Sequence, residues 1–320
     1  MIEAQNMAYS ASEGRETVQA ALKRCDSSLN KSSSILGYLL STREQSLFSD
    51  EIVARVRGML TNIANQILRV QAEATGKKGA DQFALDNSEA LTLHLAEEPV
   101  LLSHCHSIAL EWQFALRLEA LYAVDPVLTP MMQDLIESEN SSLASAAMAL
   151  LASQARFSQL QRRMELPLAE LPGDQLHACL AAWRSFNRNR QSDALTRAES
   201  KLRDNYDEGG GRIALLDRVI TALGAAAPNA LEVEKSGAAL FITSLAAILR
   251  EPREETALCV NEEQIGRLML SLRAAGMKSE TCEAIALRIH PEAHLPAGLE
   301  AIGTREAAQM LSQSTLRGAR

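Results

Sequence analysis

Aromatic residues make up only 4% of this 320-residue chain, so rings contribute little to its core. Alternating runs of β-branched residues are missing, as are Asn-Gly and Asp-Gly, the dipeptides that favour β-hairpin turns. The core must therefore be built from Ala, Leu, Ile, Val and Met, residues that for the most part favour helices. This composition predicts an all-α protein.

An excess of positive charge is also missing, because the formal net charge is −8 and the pI is about 5.4. Non-specific binding to nucleic acid depends on a dense Lys and Arg surface, so we expect no nucleic-acid partner. The longest uncharged apolar-rich stretches, 140–155 and 236–249, are shorter than the roughly 18 to 20 residues of a membrane span. The first residues show no signal-peptide pattern. We therefore expect no membrane partner.

Cysteines are few, odd in number and scattered in apolar helical contexts. The five are Cys25, Cys105, Cys179, Cys259 and Cys282. This usage is typical of reduced, buried thiols rather than of a disulfide framework, and it predicts a cytoplasmic location.

Two adjacent heptad segments are the most informative pattern that is present. The first steps by four and three through Val18, Leu22, Cys25, Leu29, Ser32, Leu36 and Leu39. The second steps through Val53, Val56, Leu60, Ile63, Ile67 and Val70. Such segments predict an antiparallel helical hairpin whose apolar seam must be covered.

A second copy of the hairpin is the expected partner of this seam. Near the turn the apolar stripe widens to include Ile35 and Leu40, which is more than a lone hairpin can bury. We therefore expect a homodimer built on a four-helix bundle. The predicted interface residues are Leu22, Leu29, Leu36, Leu39, Val53, Val56, Leu60, Ile63 and Ile67.

Glycine-rich breaks predict the domain boundaries. The two glycines in Thr75–Asp81 indicate a linker after the hairpin, and Gly209–Gly211 indicates a second, flexible break. The expected organisation is a hairpin, a linker, a helical domain, a C-terminal helical domain and a tail, at 1–75, 76–87, 88–206, 207–311 and 312–320.

Two similar proline junctions leave the architecture of the helical body open. Pro126 and Pro172 lie 46 residues apart, inside the period of HEAT-like helix pairs. A repeat-like body and an irregular helical bundle are the two alternatives.

Histidine patterns do not complete a metal site. His104 and His106 are two residues apart and point away from each other on a helix. His290 and His294 enclose Glu292, but a zinc-protease helix places its Glu next to one of the histidines. We therefore predict no catalytic, metal-binding or cofactor-binding residue. A metal-dependent hydrolase that uses these histidines or His94 is kept as a third interpretation.

The hairpin also resembles, in outline, the dimerisation hairpins of sensor kinases. No histidine precedes His94, so this hairpin cannot carry a phosphoacceptor histidine. A degenerate phosphotransfer-like signalling protein that binds a response regulator remains the alternative function.

A group of arginines lies on adjacent predicted helices with Trp183 and Phe186 among them. Guanidinium groups bind carboxylate and phosphate in a forked geometry, so this group is a candidate site for an anionic partner. The alternative is a solvated face balanced by nearby acidic residues. The candidate residues are Arg162, Arg163, Arg184, Arg188 and Arg190.

Two segments carry a resemblance to a known family. They are Ala155–Pro172, with Gln161-Arg162-Arg163-Met164-Glu165-Leu166-Pro167, and Tyr206–Arg212, with Asp207-Glu208-Gly209-Gly210-Gly211. Both resemble segments of an all-helical alphaproteobacterial family classified as a domain of unknown function. The resemblance implies a bacterial cytosolic protein with HEAT-like helix pairs in a regulatory setting.

Taken together, these patterns predict a non-enzymatic, cytosolic bacterial interaction or regulatory protein. It is expected to dimerise through its N-terminal hairpin, to bind a further protein partner and to need no cofactor.

Overall fold

A computed structural model describes residues 2–41, 50–190 and 192–314, with side chains described from residue 12 onward except at 33, 41 and 190. The described residues form fourteen α-helices and no strand, which confirms the all-α prediction. The helices are α1 (Ile2–Ser41), α2 (Asp50–Ala74), α3 (Ala80–Leu95), α4 (Pro99–Tyr122), α5 (Pro130–Ile136), α6 (Ser141–Arg162), α7 (Gly173–Phe186), α8 (Asp193–Asp204), α9 (Arg212–Leu223), α10 (Val233–Leu249), α11 (Arg253–Leu258), α12 (Ile265–Ala274), α13 (Ser279–Ile289) and α14 (Thr304–Ser312).

Helix boundaries follow local chemistry. Pro99 and Pro130 are the first residues of α4 and α5, where a missing N–H is not needed. Asn140 precedes α6, and its side-chain oxygen accepts hydrogen bonds from the backbone N–H groups of Ser142 and Leu143 at 3.1 and 3.3 Å. Local chemistry therefore accounts for where α4, α5 and α6 begin.

The chain divides into two compact units that differ from the predicted domains. The first unit comprises Met1–Ser32, Leu110–Met131 and Leu223–Arg320. The second comprises Ser33–Ala109 and Met132–Ala222. Helices α1 and α4 each contribute residues to both units, so the N-terminal 75 residues do not form a unit of their own.

The first unit has a buried ion pair in its core. Arg253 Nη1 lies 3.0 Å from Glu111 Oε2, and both side chains are buried. Arg253 Nε also donates to the Thr243 hydroxyl at 2.9 Å. Between α4 and α10, Phe114 and Phe241 pack edge to face with their ring centroids 5.9 Å apart. The pair therefore ties α4, α10 and α11 together within an apolar setting.

The N-terminal part of α1 packs against C-terminal helices in the same unit. Arg267, which is fully buried in α12, donates to Asp26 Oδ1 at 3.1 Å and to Ser314 Oγ at 2.6 Å. Ser314 in turn donates to the same Asp26 oxygen at 2.9 Å. At Gly266 a methyl group would lie only 3.2 Å from the Ala21 side chain, so α1 and α12 approach closely.

Helix α2 lies in the core of the second unit. Gln71 accepts the Trp183 indole N–H at 2.8 Å and donates to Asn187 Oδ1 at 3.2 Å. Arg55 donates to the Gln161 carbonyl at 2.6 Å. These bonds join α2 to α6 and α7, and all four side chains that make them are buried.

The predicted linker at 76–87 is largely helical, which corrects that expectation. Helix α3 begins at Ala80 and continues to Leu95. Ala84, Leu91 and Leu95 are buried and are spaced by seven and four residues, so they lie on one face of α3. Gly76 and Gly79 lie in a short turn between α2 and α3. Because glycines are typical of linkers, they predicted a linker where α3 in fact begins.

The glycine run at 209–211 is not a free connector. Glu208 Oε1 accepts the backbone N–H of Gly173 at 3.0 Å, and Asp207 Oδ1 accepts that of Gly209 at 3.0 Å. These bonds fix the segment within the second unit, which continues to Ala222. The boundary predicted at residue 207 is therefore not the one that the contacts define.

Candidate functional site

The predicted interface seam is buried within the chain. Eight of its nine residues are at most 9% exposed, and the ninth, Val53, is partly buried. In the first unit, the part of α1 that carries Leu22 and Leu29 is held on the C-terminal helices. Ser28 Oγ, in this part of α1, donates to Glu263 Oε2 at 2.6 Å. The seam therefore serves the core of the chain itself, which corrects its prediction as an exposed dimer interface.

An apolar groove of about 570 Å³ opens in the second unit where three helix ends meet. It lies between the end of α1, the end of α3 and the start of α4. Its lining residues are Ser34, Gly37, Tyr38, Leu93, Ala96, Glu97, Pro99 and Leu102. No sequence signal predicted this groove, because it joins the end of α1 to the α3–α4 junction, which lies more than 50 residues later in the chain.

Large apolar side chains are exposed around this groove. Tyr38 is 58% exposed and Leu93 41%, and both side chains line the groove. Glu97 is the one charged residue of the lining, and its carboxylate lies 3.2 Å from His94 Nδ1. Contiguous exposed apolar surface with little charge is typical of protein-binding sites.

The helices that form the groove are packed into the core. Leu102, which lines it, is buried, and so are Leu36 near the end of α1 and Leu95 at the end of α3. The end of α1 is capped by Arg57, whose Nη2 donates to the Leu40 carbonyl at 2.8 Å. An apolar partner would therefore meet a preformed surface.

The predicted arginine cluster is divided by ion pairs. Arg163 lies 3.0 Å from Glu165, and Arg184 Nη1 lies 2.8 Å from Glu199 Oε1. Arg162 and Arg188 are exposed, and the Arg190 side chain lies outside the described residues. Of the four arginines whose side chains are described, two are therefore engaged in ion pairs, and Arg184 lines a cleft.

That cleft lies between the end of α7 and the first two turns of α8, and its volume is about 410 Å³. Trp183 and Leu195 supply its apolar part, and Arg184 and Glu199 lie at its charged side. Trp183 and Arg184 were candidates from the sequence, whereas Glu199 and the buried Asn187 were not. A single polar residue adds nothing to a periodic or clustered pattern, so the sequence offers no reason to choose it.

The histidines are placed as parts of the packing. His104 and His106 are buried in α4, and His290 bonds the Val260 carbonyl at 2.8 Å. His94 stacks near the Phe186 ring, with centroids 5.9 Å apart. Among the residues that the structure describes, no three His, Cys, Asp or Glu side chains form a group that could hold a metal ion.

Burial of His106 makes the stability of the chain pH-dependent. Desolvation lowers the pKa of His106 from 6.5 to about 4, so the folded chain resists its protonation while the unfolded chain takes up the proton below pH 6.5. The contribution of neutral His106 to the free energy of unfolding is therefore complete above pH 6.5, and it falls by about 3 kcal/mol as the pH drops to 4.

Urea denaturation at pH 7.5 and pH 4 tests this expectation. Between these two pH values, His106→Gln should lose about 3 kcal/mol less unfolding free energy than the wild type, because glutamine does not titrate in this range. An equal loss in both proteins would contradict it, as would an NMR titration of the His106 ring with a midpoint near 6.5.

The five cysteines are free and buried. Burial raises the pKa of Cys179 and Cys259 to about 12 and that of Cys282 to about 11, and it also raises the pKa of Cys25 and Cys105. The thiolate is the nucleophile in cysteine chemistry, so these thiols are poorly suited to react.

No helix in the described ranges combines the length and apolar character that crossing a bilayer demands. Comparison of the chain with protein-family models, with curated proteins and with solved structures found no significant match.

Proposed function

We propose that the chain is a cytosolic, non-enzymatic interaction protein that forms a homodimer through the apolar groove at the end of α1. The observation that carries the proposal is that two exposed apolar side chains, Tyr38 and Leu93, line one groove. The five free, buried cysteines support a reducing compartment. A further protein partner and a regulatory setting, the latter implied by the resemblance, stay predictions.

A second copy is the occupant that the local geometry favours. Tyr38 protrudes at the edge of the groove, while the small residues Gly37 and Ala96 line it. A two-fold axis would place each Tyr38 ring against the recess of the other copy, and such isologous contacts are the commonest form of homodimer. The near absence of charge suits an interface core.

Light scattering on the full-length chain tests this proposal with a matched pair of variants. The wild type is expected at twice its 34.8 kDa mass, and Leu93→Glu at the mass of one chain, because the carboxylate would lose its water in the interface. Leu85→Glu is the control, because Leu85 is on the same helix, is 64% exposed and does not line the groove. A monomeric wild type at all concentrations, or dissociation of both variants, would overturn the proposal.

Gly37→Ala separates docking from folding. Among the described residues the added methyl would meet Leu102 Cδ2, at 3.8 Å, which is an ordinary van der Waals contact, so it fits the folded chain. In a helix interior alanine is favoured over glycine by about 1 kcal/mol, so this variant should be more stable when compared in the monomeric Leu93→Glu background. The same methyl narrows the groove, so in the wild-type background it should weaken the dimer.

A further inference from the structure

We infer that the cleft between α7 and α8 is a binding site for a small organic carboxylate. Its volume of about 410 Å³ falls in the range of small-molecule sites. Such sites combine an apolar floor with a few fixed polar groups, and this cleft has both.

The floor is fixed without a ligand. Trp183 donates its indole N–H to Gln71, and Gln71 donates to Asn187. Asn187 Nδ2 closes the set by donating to the Trp183 carbonyl at 3.0 Å. Because all three side chains are buried and bonded to one another, little ordering is needed when a ligand enters.

The charges at one wall favour an anion. Glu199 Oε1 accepts from Arg184 Nη1 at 2.8 Å and from Arg203 Nε and Nη2 at 3.0 and 2.8 Å. Two guanidinium groups thus share one carboxylate oxygen, which leaves this trio with a net positive charge. Among the described residues, Arg184 bonds Glu199 through its Nη1 group, and the Arg184 side chain is 44% exposed. The other N–H groups of the guanidinium fork therefore face the cleft and solvent.

The surrounding sequence also carries a net positive charge. Residues 183–204 hold six basic and three acidic residues, a net charge of +3, in a chain whose net charge is −8. Arg188 is exposed two residues after the end of α7. The segment that supplies the cleft lining is therefore basic within an acidic protein, while the lining itself carries Arg184 with Asp193 and Glu199.

The acidic residues of the cleft select the ligand further. Asp193 lines it at the first turn of α8 and repels an anion from that helix end. A monoanion held at Arg184 fits this balance better than a phosphate dianion does. A planar carboxylate matches the guanidinium fork, and an apolar body would contact Trp183 and Leu195.

Benzoate and benzamide are matched probes, because they have the same shape and differ in charge. Calorimetry and the indole N–H signal of Trp183 should report benzoate binding with a dissociation constant on the order of 1 mM. Benzamide should bind about tenfold more weakly or not at all, because the charged hydrogen bond is lost.

Two arginine variants complete the test on the full-length chain. Arg184→Met should weaken benzoate binding about tenfold, whereas Arg197→Met, an exposed change of equal charge outside the cleft lining, should leave it unchanged. Equal binding of benzoate and benzamide, equal loss in both variants, or no benzoate binding at about 20 mM, well above the expected constant, would overturn the inference.

Discussion

Replacing Glu111 with alanine is expected to lower the free energy of unfolding by about 3–5 kcal/mol. Its carboxylate lies 3.0 Å from Arg253 Nη1, and neither side chain has much contact with solvent. Without it the buried guanidinium would lose the opposite charge of Glu111, which offsets its lost hydration. Chemical denaturation followed by circular dichroism measures the change.

The double variant Glu111→Leu/Arg253→Met is the control for this prediction. It removes both charges and fills the space with apolar atoms, so its unfolding free energy should lie within about 1–2 kcal/mol of the wild type. A Glu111→Ala variant that loses less than about 1 kcal/mol would show that the pair is not desolvated in solution.

Gly298→Ala is expected to lower the free energy of unfolding by about 2–5 kcal/mol. Gly298 has φ +97°, a conformation that side-chain-bearing residues rarely adopt, and its Cβ would lie 2.3 Å from Gly14 Cα and 2.6 Å from the Gly14 carbonyl oxygen. Because backbone atoms of α1 occupy that space, the chain has to move apart locally. Urea denaturation measures the loss.

Two other glycines separate the causes of this effect. Gly276 has φ +95° but no atom within 4 Å of a Cβ, so Gly276→Ala should cost only the conformational term of about 1–2 kcal/mol. Gly303 has open space and an ordinary φ, so Gly303→Ala should change stability by less than about 0.5 kcal/mol. If Gly298→Ala cost no more than Gly276→Ala, the close approach of Gly298 to Gly14 would be refuted.

Local sequence signals predicted the helices well. The second heptad segment was expected to end near Thr75, and α2 ends at Ala74. Proline positions predicted helix junctions because proline lacks the N–H that a helix interior needs. These features depend on neighbouring residues along the chain, so they can be interpreted without a tertiary structure.

The partner of the heptad seam could not be predicted in the same way. Burial of apolar surface is non-directional, so a stripe shows that a helix face is covered but not which surface covers it. Leu22 and Leu29 belong to the unit formed with C-terminal helices, whereas Leu36 and Leu39 belong to the other unit. The predicted hairpin domain combined residues that the structure assigns to different units.

The candidate sites depended even more on tertiary structure. The apolar groove joins three helix ends, and the α7–α8 cleft depends on Gln71, which lies 112 residues before Trp183. Single polar residues such as Gln71 and Glu199 leave no periodic trace in a sequence. Only the arginines and Trp183 could be singled out, because clustered basic and aromatic residues are unusual in composition.

The sequence by itself determined that the chain is all helical and that two long apolar stripes, in α1 and α2, must be buried, because helix propensity and periodicity are local properties. The tertiary structure decided that these stripes are buried within the chain and that other apolar side chains, around Tyr38, remain exposed. The physical reason is that long-range pairs, such as Asp26 with Arg267 across 241 residues, select among the many surfaces that could cover an apolar face.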